Sequence, residues 1–240
     1  MNSRRFFVPV LSAAIALTAF IGSIAIGEET KEGAPTDVPE FKLPPGWTEA
    51  DLQACIVAGT PGKMQQVLAA DAGVWKGDST MWMYPGAEPV STQVRCIVRV
   101  IMDGRYTQSR YIGEIPGMGP YNGLGLSGYD NVAKKFTCTW IDNHSTGMMT
   151  GEGKLSKGGK TLTWIYTYNC PINNKPATMR QIETTDGDSK KIEMFGADPK
   201  SGKEFKMMSI ELTRAKAATE GKTKASKAVQ EPSLEDRAAD

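Results

Sequence analysis

His144 is the only histidine in the chain. It stands in Asp142-Asn143-His144-Ser145, and a second carboxylate, Asp130, lies a short way upstream. A histidine oriented by an aspartate makes a general base. Two carboxylates in unlike surroundings can divide the acid and base roles between them. The same residues also make a turn, because Asp and Asn side chains bond readily to backbone amides nearby. Ser145 lacks the Gly-x-Ser-x-Gly setting of a hydrolase nucleophile. The turn is therefore the stronger reading, and Asp130, Asp142 and His144 remain the candidates for any acid-base chemistry.

The four cysteines, Cys55, Cys96, Cys138 and Cys170, show no C-x-x-C spacing, and one histidine cannot complete a usual zinc set. No metal site is expected. Haem held by histidine would have to use His144, and a turn position suits it poorly. The glycines at 123, 125 and 128 are not followed by a helix, so they do not form a phosphate loop. No cofactor is expected.

The elements that position these residues are strands. From Gly73 to Arg214 alternating runs are separated by turn signals, among them Asp103-Gly104, Lys157-Gly158-Gly159, Asn173-Asn174-Lys175, Asp186-Gly187-Asp188 and Asp198-Pro199. Counting runs between turns gives about ten strands. The stretch from 117 to 142 is the most telling. A glycine-rich half, Tyr121–Tyr129, meets at Asp130-Asn131 a half in which Phe136, Cys138 and Trp140 alternate with Thr137, Thr139 and Ile141. Glycine inside strands marks bends or close approach, which predicts a strongly curved sheet. Edges left open on such a sheet are a hazard that closure removes. The expected fold is all-β: an antiparallel up-and-down β-barrel over 73–214, wide enough for a small ligand.

Residues paired directly across a hairpin share a face. With Asp103-Gly104 as a two-residue loop, Cys96 faces Tyr111, Val98 faces Ser109 and Val100 faces Thr107. Arg95, Arg99, Gln108 and Arg110 take the other face, which must be the outside. Leu162, Trp164, Tyr166, Tyr168 and Cys170 alternate in the same way later on. The expected interior lining is Val94, Cys96, Val98, Tyr111, Trp140, Trp164 and Tyr166, with Asp130, Asp142 and His144 near a mouth. An interior so rich in Tyr needs hydrogen-bond partners or a wet cavity. No two of Cys96, Cys138 and Cys170 stand on neighbouring strands by this count, and two strand spacings exceed the reach of a disulfide. At most one bridge, to Cys55, is expected.

Residues 1–27 have Arg4-Arg5, an apolar run and a small-residue end at Ala25-Ile26-Gly27, the signature of a secretory signal peptide. The apolar run is also about long enough for a membrane anchor. Ser3-Arg4-Arg5-Phe6-Phe7 resembles a twin-arginine signal, though general secretory signals share that feature. Cleavage would leave a periplasmic or extracellular protein with no membrane span, and a chain of 26 basic and 27 acidic residues. That balance excludes a nucleic-acid partner. Residues 28–46 hold four prolines and read as a flexible linker. Two short helices follow within 47–72: one over Thr48–Ala58, with Thr48 as cap and Leu52, Cys55 and Ile56 on one face, and one starting at Thr60 with Met64, Val67 and Leu68 apolar. Both are too short to stand alone and should dock on the sheet. Residues 215–240, without an aromatic residue, read as a disordered tail.

The texts TPGKMQQVLAADAGVW, MYPGAEP, GYDNVAKKF, TWIDNHSTGMM and KMMSIELTR resemble a bacterial family catalogued as domain of unknown function fifteen seventy-nine, over Trp47 to Arg214. The resemblance implies a lipocalin-like barrel, often exported, without an established activity. Members usually carry a histidine after the TPGEM text, where this chain has Gln65, so any role of that histidine is absent. Two functional classes follow: a barrel holding a small apolar or amphipathic ligand, or an enzyme using Asp142 and His144 at the mouth. A packed barrel with a protein partner is a third. Oligomeric state is left open.

Overall fold

Alternation of side chains along the chain resolves into ten strands: β1 (Gly73–Met81), β2 (Val90–Ile101), β3 (Tyr106–Ile115), β4 (Gly119–Asp130), β5 (Lys135–Asp142), β6 (Met149–Leu155), β7 (Thr161–Cys170), β8 (Lys175–Asp186), β9 (Ser189–Ala197) and β10 (Glu204–Arg214). Two helices precede them, α1 (Glu49–Gly59) and α2 (Lys63–Ala69). The computed structural model describes residues 42–216. The expected signal peptide, most of the linker and nearly all of the tail lie outside the described residues.

Each strand pairs antiparallel with its neighbours in sequence, and β1 pairs with β10, so the sheet closes into a barrel. The register expected for the first hairpin is present: Cys96 opposite Tyr111, Val98 opposite Ser109, Val100 opposite Thr107. Asp103 and Gly104 both take positive φ, and the Arg105 amide donates to the Met102 carbonyl at 3.1 Å. That is the geometry of a two-residue primed turn. The β4–β5 connection is longer than expected, with the turn over 131–134 rather than at Asp130-Asn131.

The glycines of β4 serve close approach. Trp140 on β5 lies flat against Gly123 and Gly125. A Cβ on Gly123 would sit 2.2 Å from the indole, so any larger residue there must displace the ring. On β6, Gly151 leaves room for Cys138 of β5 and Tyr166 of β7 to meet over it.

The barrel interior is divided. Trp75, Val94, Cys96, Val98, Ile192, Ile210 and Leu212 form one buried cluster on β1, β2, β9 and β10. Leu68, Phe136, Cys138, Leu162, Trp164 and Tyr166 form a second, on α2, β5 and β7. The two walls stand about half a circuit apart in the strand order.

The helices depart from expectation in two ways. Thr48 does cap α1, in a reciprocal box with Asp51. However, α1 buries no residue, and Ile56 remains 48% exposed. It is tied down at its C-terminal end, where Arg105 Nε donates to the Gly59 carbonyl and Asn131 Nδ2 to the Ala58 carbonyl. Unsatisfied end carbonyls, not an apolar face, make that attachment. The second helix starts later than expected, with Gly62 as its cap, and Pro61 lies before it. It is Leu68 of α2 that joins the buried core, packed with the cluster on β5 and β7. Gln65 is buried and pins α2: its Oε1 accepts the Gly62 amide, and its Nε2 donates to the Tyr129 carbonyl and Asn131 Oδ1.

All four cysteines are free. They lie on α1, β2, β5 and β7, and the last three are never on adjacent strands. Burial pushes the Cys96 thiol up to about 12 and Cys138 up to about 11, so both stay protonated and unreactive near neutrality. Cys55 alone is exposed. Native protein should therefore take up one equivalent of iodoacetamide, and denatured, unreduced protein four. No free thiols after denaturation would mean two bridges and would contradict the strand order.

Candidate functional site

Between the two apolar clusters lies a cavity of about 320 Å³. Leu68 and Asp71, from α2 and the turn after it, stand at one end and form the floor. The other end is the mouth, near the β3–β4 and β5–β6 turns, where Asp142 and His144 line the wall. Of the residues expected to line it, Val94, Val98, Tyr111, Trp140, Trp164 and Tyr166 do so. Cys96 points inward but does not reach the cavity. It is 1% exposed, opposite Trp75 on β1 and Tyr111 on β3, and these two large rings cover it. Methionines form much of the remaining wall: Met81, Met149, Met179, Met194 and Met208. Met fills irregular space and repacks easily.

At the mouth the candidate acid-base residues are held, but not as a dyad. Asp142 Oδ1 accepts the backbone amide of His144 at 2.9 Å, not its ring. The ring Nε2 lies 3.0 Å from the Pro120 carbonyl. A carbonyl only accepts, so the proton sits on Nε2. The imidazole also stacks on Tyr121, with centroids 5.9 Å apart. Asp142 Oδ2 receives the Trp140 indole N–H, which is shared with the Tyr121 hydroxyl, both at 3.2 Å. Burial first, and the Asp142 charge second, push the Tyr121 hydroxyl well above its ordinary range, so it stays protonated. This is an interlocked rim.

Asp130 is not at the mouth. It is fully exposed at the floor end of the β4–β5 hairpin, where its Oδ1 accepts the amides of Val132 and Ala133 at 2.7 and 2.9 Å. Asp142 pairs with Gly123, seven residues along β4 from Asp130. At strand rise that is about 23 Å, far beyond any acid-base partnership with Asp142. Those two amide bonds hold its carboxyl below the ordinary range. Asp130 is a turn residue.

Sequence reasoning missed the floor. Lys190 on β9 is inside the barrel, its side chain 2% exposed. Its Nζ donates to Asp71 Oδ2 at 2.7 Å and Glu183 Oε1 at 2.6 Å. The ammonium also lies 5.2 Å from the centre of the Trp75 ring. Burial alone would lower the lysine pKa, but the two carboxylates win and hold it above its ordinary 10.5. At Asp71 burial wins instead: it pushes the carboxyl up, against the pull of Lys190. The signal was present in β9, where Lys190 shares a period-two face with Ile192 and Met194. Lys191 beside it hides that signal, since a Lys-Lys pair reads as solvated.

A lipocalin-like up-and-down barrel with an internal cavity is thus the class that fold and site define. The model of a family described as a protein of unknown function, DUF1579, matches residues 60–214, and the chain belongs to that family. No curated protein matches. Among solved structures, the crystal structure of Rv2717c from M. tuberculosis is similar, with a TM-score of 0.51 at 13% identity, covering 65% of this chain and 100% of that one. At that identity the likeness is one of fold. Among the described residues no group of side chains could hold a metal ion, and no helix is long and apolar enough to cross a membrane.

Proposed function

We propose that the protein is an exported carrier that holds one small apolar or amphipathic molecule inside the barrel. One observation carries this reading: a cavity of about 320 Å³ walled by Trp140, Trp164, Tyr166 and several methionines. Ligand pockets begin at about 300 Å³ and are apolar with a few polar groups. The enzyme alternative is weakened by the rim, where the imidazole is committed to Pro120 and Tyr121 while Asp142 holds a backbone amide. Export rests on residues 1–27, and the mass of the protein recovered outside the cytoplasm tests it.

Nile red, a neutral apolar dye, is expected to bind with enhanced emission and to be displaced by competing apolar molecules. Val98→Trp should abolish this by filling the cavity, and so should Ser109→Trp from the facing strand position. His144→Ala should change affinity by less than about tenfold, or 1.4 kcal/mol. Displaceable binding that survives both tryptophans would place the dye outside the barrel and end the carrier reading. Loss of binding in His144→Ala alone would return that residue to the functional centre.

A further inference from the structure

The charges that face the cavity are unbalanced. Asp71, Asp142 and Glu183 line it, against a single ammonium, Lys190. Beside Asp142 the rim carries Tyr121 and His144, whose ring is bound to a carbonyl. Glu114 is also at the rim, on the outward parity of β3. Arg214 packs on Trp75 below the floor and is bound to Asp188 and to the Ala70 and Ala72 carbonyls, away from the lining. Lys190 divides itself between Asp71 and Glu183, so on the floor one ammonium faces two carboxyl groups. An excess charge in a poorly hydrated interior calls for a counter-charge.

A second observation points to a ligand rather than to structure. Ser79, Thr107 and Gln181 are buried polar residues, 7%, 7% and 8% exposed, and all three line the cavity. The hydroxyls of Ser79 and Thr107 make no hydrogen bond among the described residues. Gln181 uses its amide N–H on Glu183 Oε2 at 3.4 Å, and among the described residues its carbonyl oxygen has no donor. Among the described residues no side-chain polar atom closed to solvent lacks a partner, so these unbonded atoms open onto the cavity and are free to bond to what fills it. Around them stand the rings of Trp164, Tyr166 and Tyr111, whose faces attract cations.

We propose that the ligand is a cationic amphiphile, with its protonated amine or amidine head at the floor against Glu183 and the Gln181 carbonyl, and its apolar body along the aromatic and methionine wall. This rests on the carrier reading and adds the sign of the charge. Glu183 Oε1 is taken by Lys190, while Oε2 has only the long bond from Gln181, so Oε2 is the acceptor left for a donor head. An anionic head would meet three carboxylates instead.

Three ligands with one decyl chain test it: decylammonium, decanol and decanoate, each below its aggregation limit, followed by the fluorescence of Trp140 and Trp164. Decylammonium should bind at least about tenfold more tightly than decanol, and decanoate at least about tenfold more weakly. The preference should persist at high salt, because buried charges are little screened. Glu183→Gln should remove most of the preference, and Glu114→Gln, at the rim, should leave it. Equal binding of the three, or preference for decanoate, overturns the charge inference and leaves the carrier reading standing. Binding of none overturns the carrier reading and the inference with it. A preference lost in Glu114→Gln but kept in Glu183→Gln would move the head to the rim and overturn the floor site. The wild-type series decides the sign of the charge even where Glu183→Gln fails to fold.

Discussion

Lys190→Met is expected to lower the free energy of unfolding by about 3–5 kcal/mol, the range seen when one member of a buried ionic cluster is removed. The methionine keeps the volume, so the loss is electrostatic. Asp71 and Glu183 would stay inside the barrel, 21% and 16% exposed, facing each other without their shared ammonium. Urea unfolding checks it, and the double variant Lys190→Met/Glu183→Gln should lose less than the sum of the two single changes. The pH dependence has a definite sign. The ammonium is held protonated above its ordinary 10.5 in the folded state. Its contribution is therefore complete below pH 10.5 and is lost as pH rises beyond that value. The difference in stability between wild type and Lys190→Met should narrow above pH 10.5. A difference below about 1 kcal/mol at neutral pH would mean that the cluster is not buried as described.

Trp75→Ala is expected to lower stability by about 3–5 kcal/mol as well, the usual range for a fully buried aromatic residue. Trp75 is 0% exposed and centres the cluster formed by β1, β2, β9 and β10. Its indole N–H donates to the Asp71 carbonyl at 2.9 Å, which ties the turn after α2 to the barrel wall. Its ring also receives Lys190 and Arg214. The truncation therefore leaves a void beside the floor, frees the Asp71 carbonyl and removes a surface on which two cations rest. Because Trp75 and Lys190 touch, the two losses should not add, and a double-mutant cycle should give a coupling of about 0.5–3 kcal/mol. Strict additivity would mean that the ring and the ammonium act independently.

The two results bear on function as well as stability. The cluster of Lys190, Asp71 and Glu183 forms part of the cavity wall, so the barrel uses the same residues to hold its floor and to set the polarity of its interior. On the proposed carrier reading, this floor is what makes ligands of opposite charge unequal.

Much of this was legible in the chain. The strand content, the two-residue turn at Asp103-Gly104, the inward face of β2 and β3, the alternation of Leu162, Trp164 and Tyr166, and the separation of Cys96, Cys138 and Cys170 all follow from a backbone whose side chains alternate with period two. Such features are local, and each is set by a few neighbouring residues. What the tertiary structure decided is non-local. Closure joins β1 to β10 across most of the chain. The partner of Lys190 at Asp71 is 119 residues away. The His144 ring is turned to Pro120 on another strand, while Asp130 and Asp142, close in sequence, end up at opposite ends of one hairpin. Cys96 lies on the inward face, yet two rings from neighbouring strands cover it. A residue's face depends on its own strand, but its partners depend on which strands close beside it. Alternation turned Lys190 inward and the β8–β9 hairpin set Glu183 beside it, and only the tertiary structure brought in Asp71, the second carboxylate that lets a charge remain there.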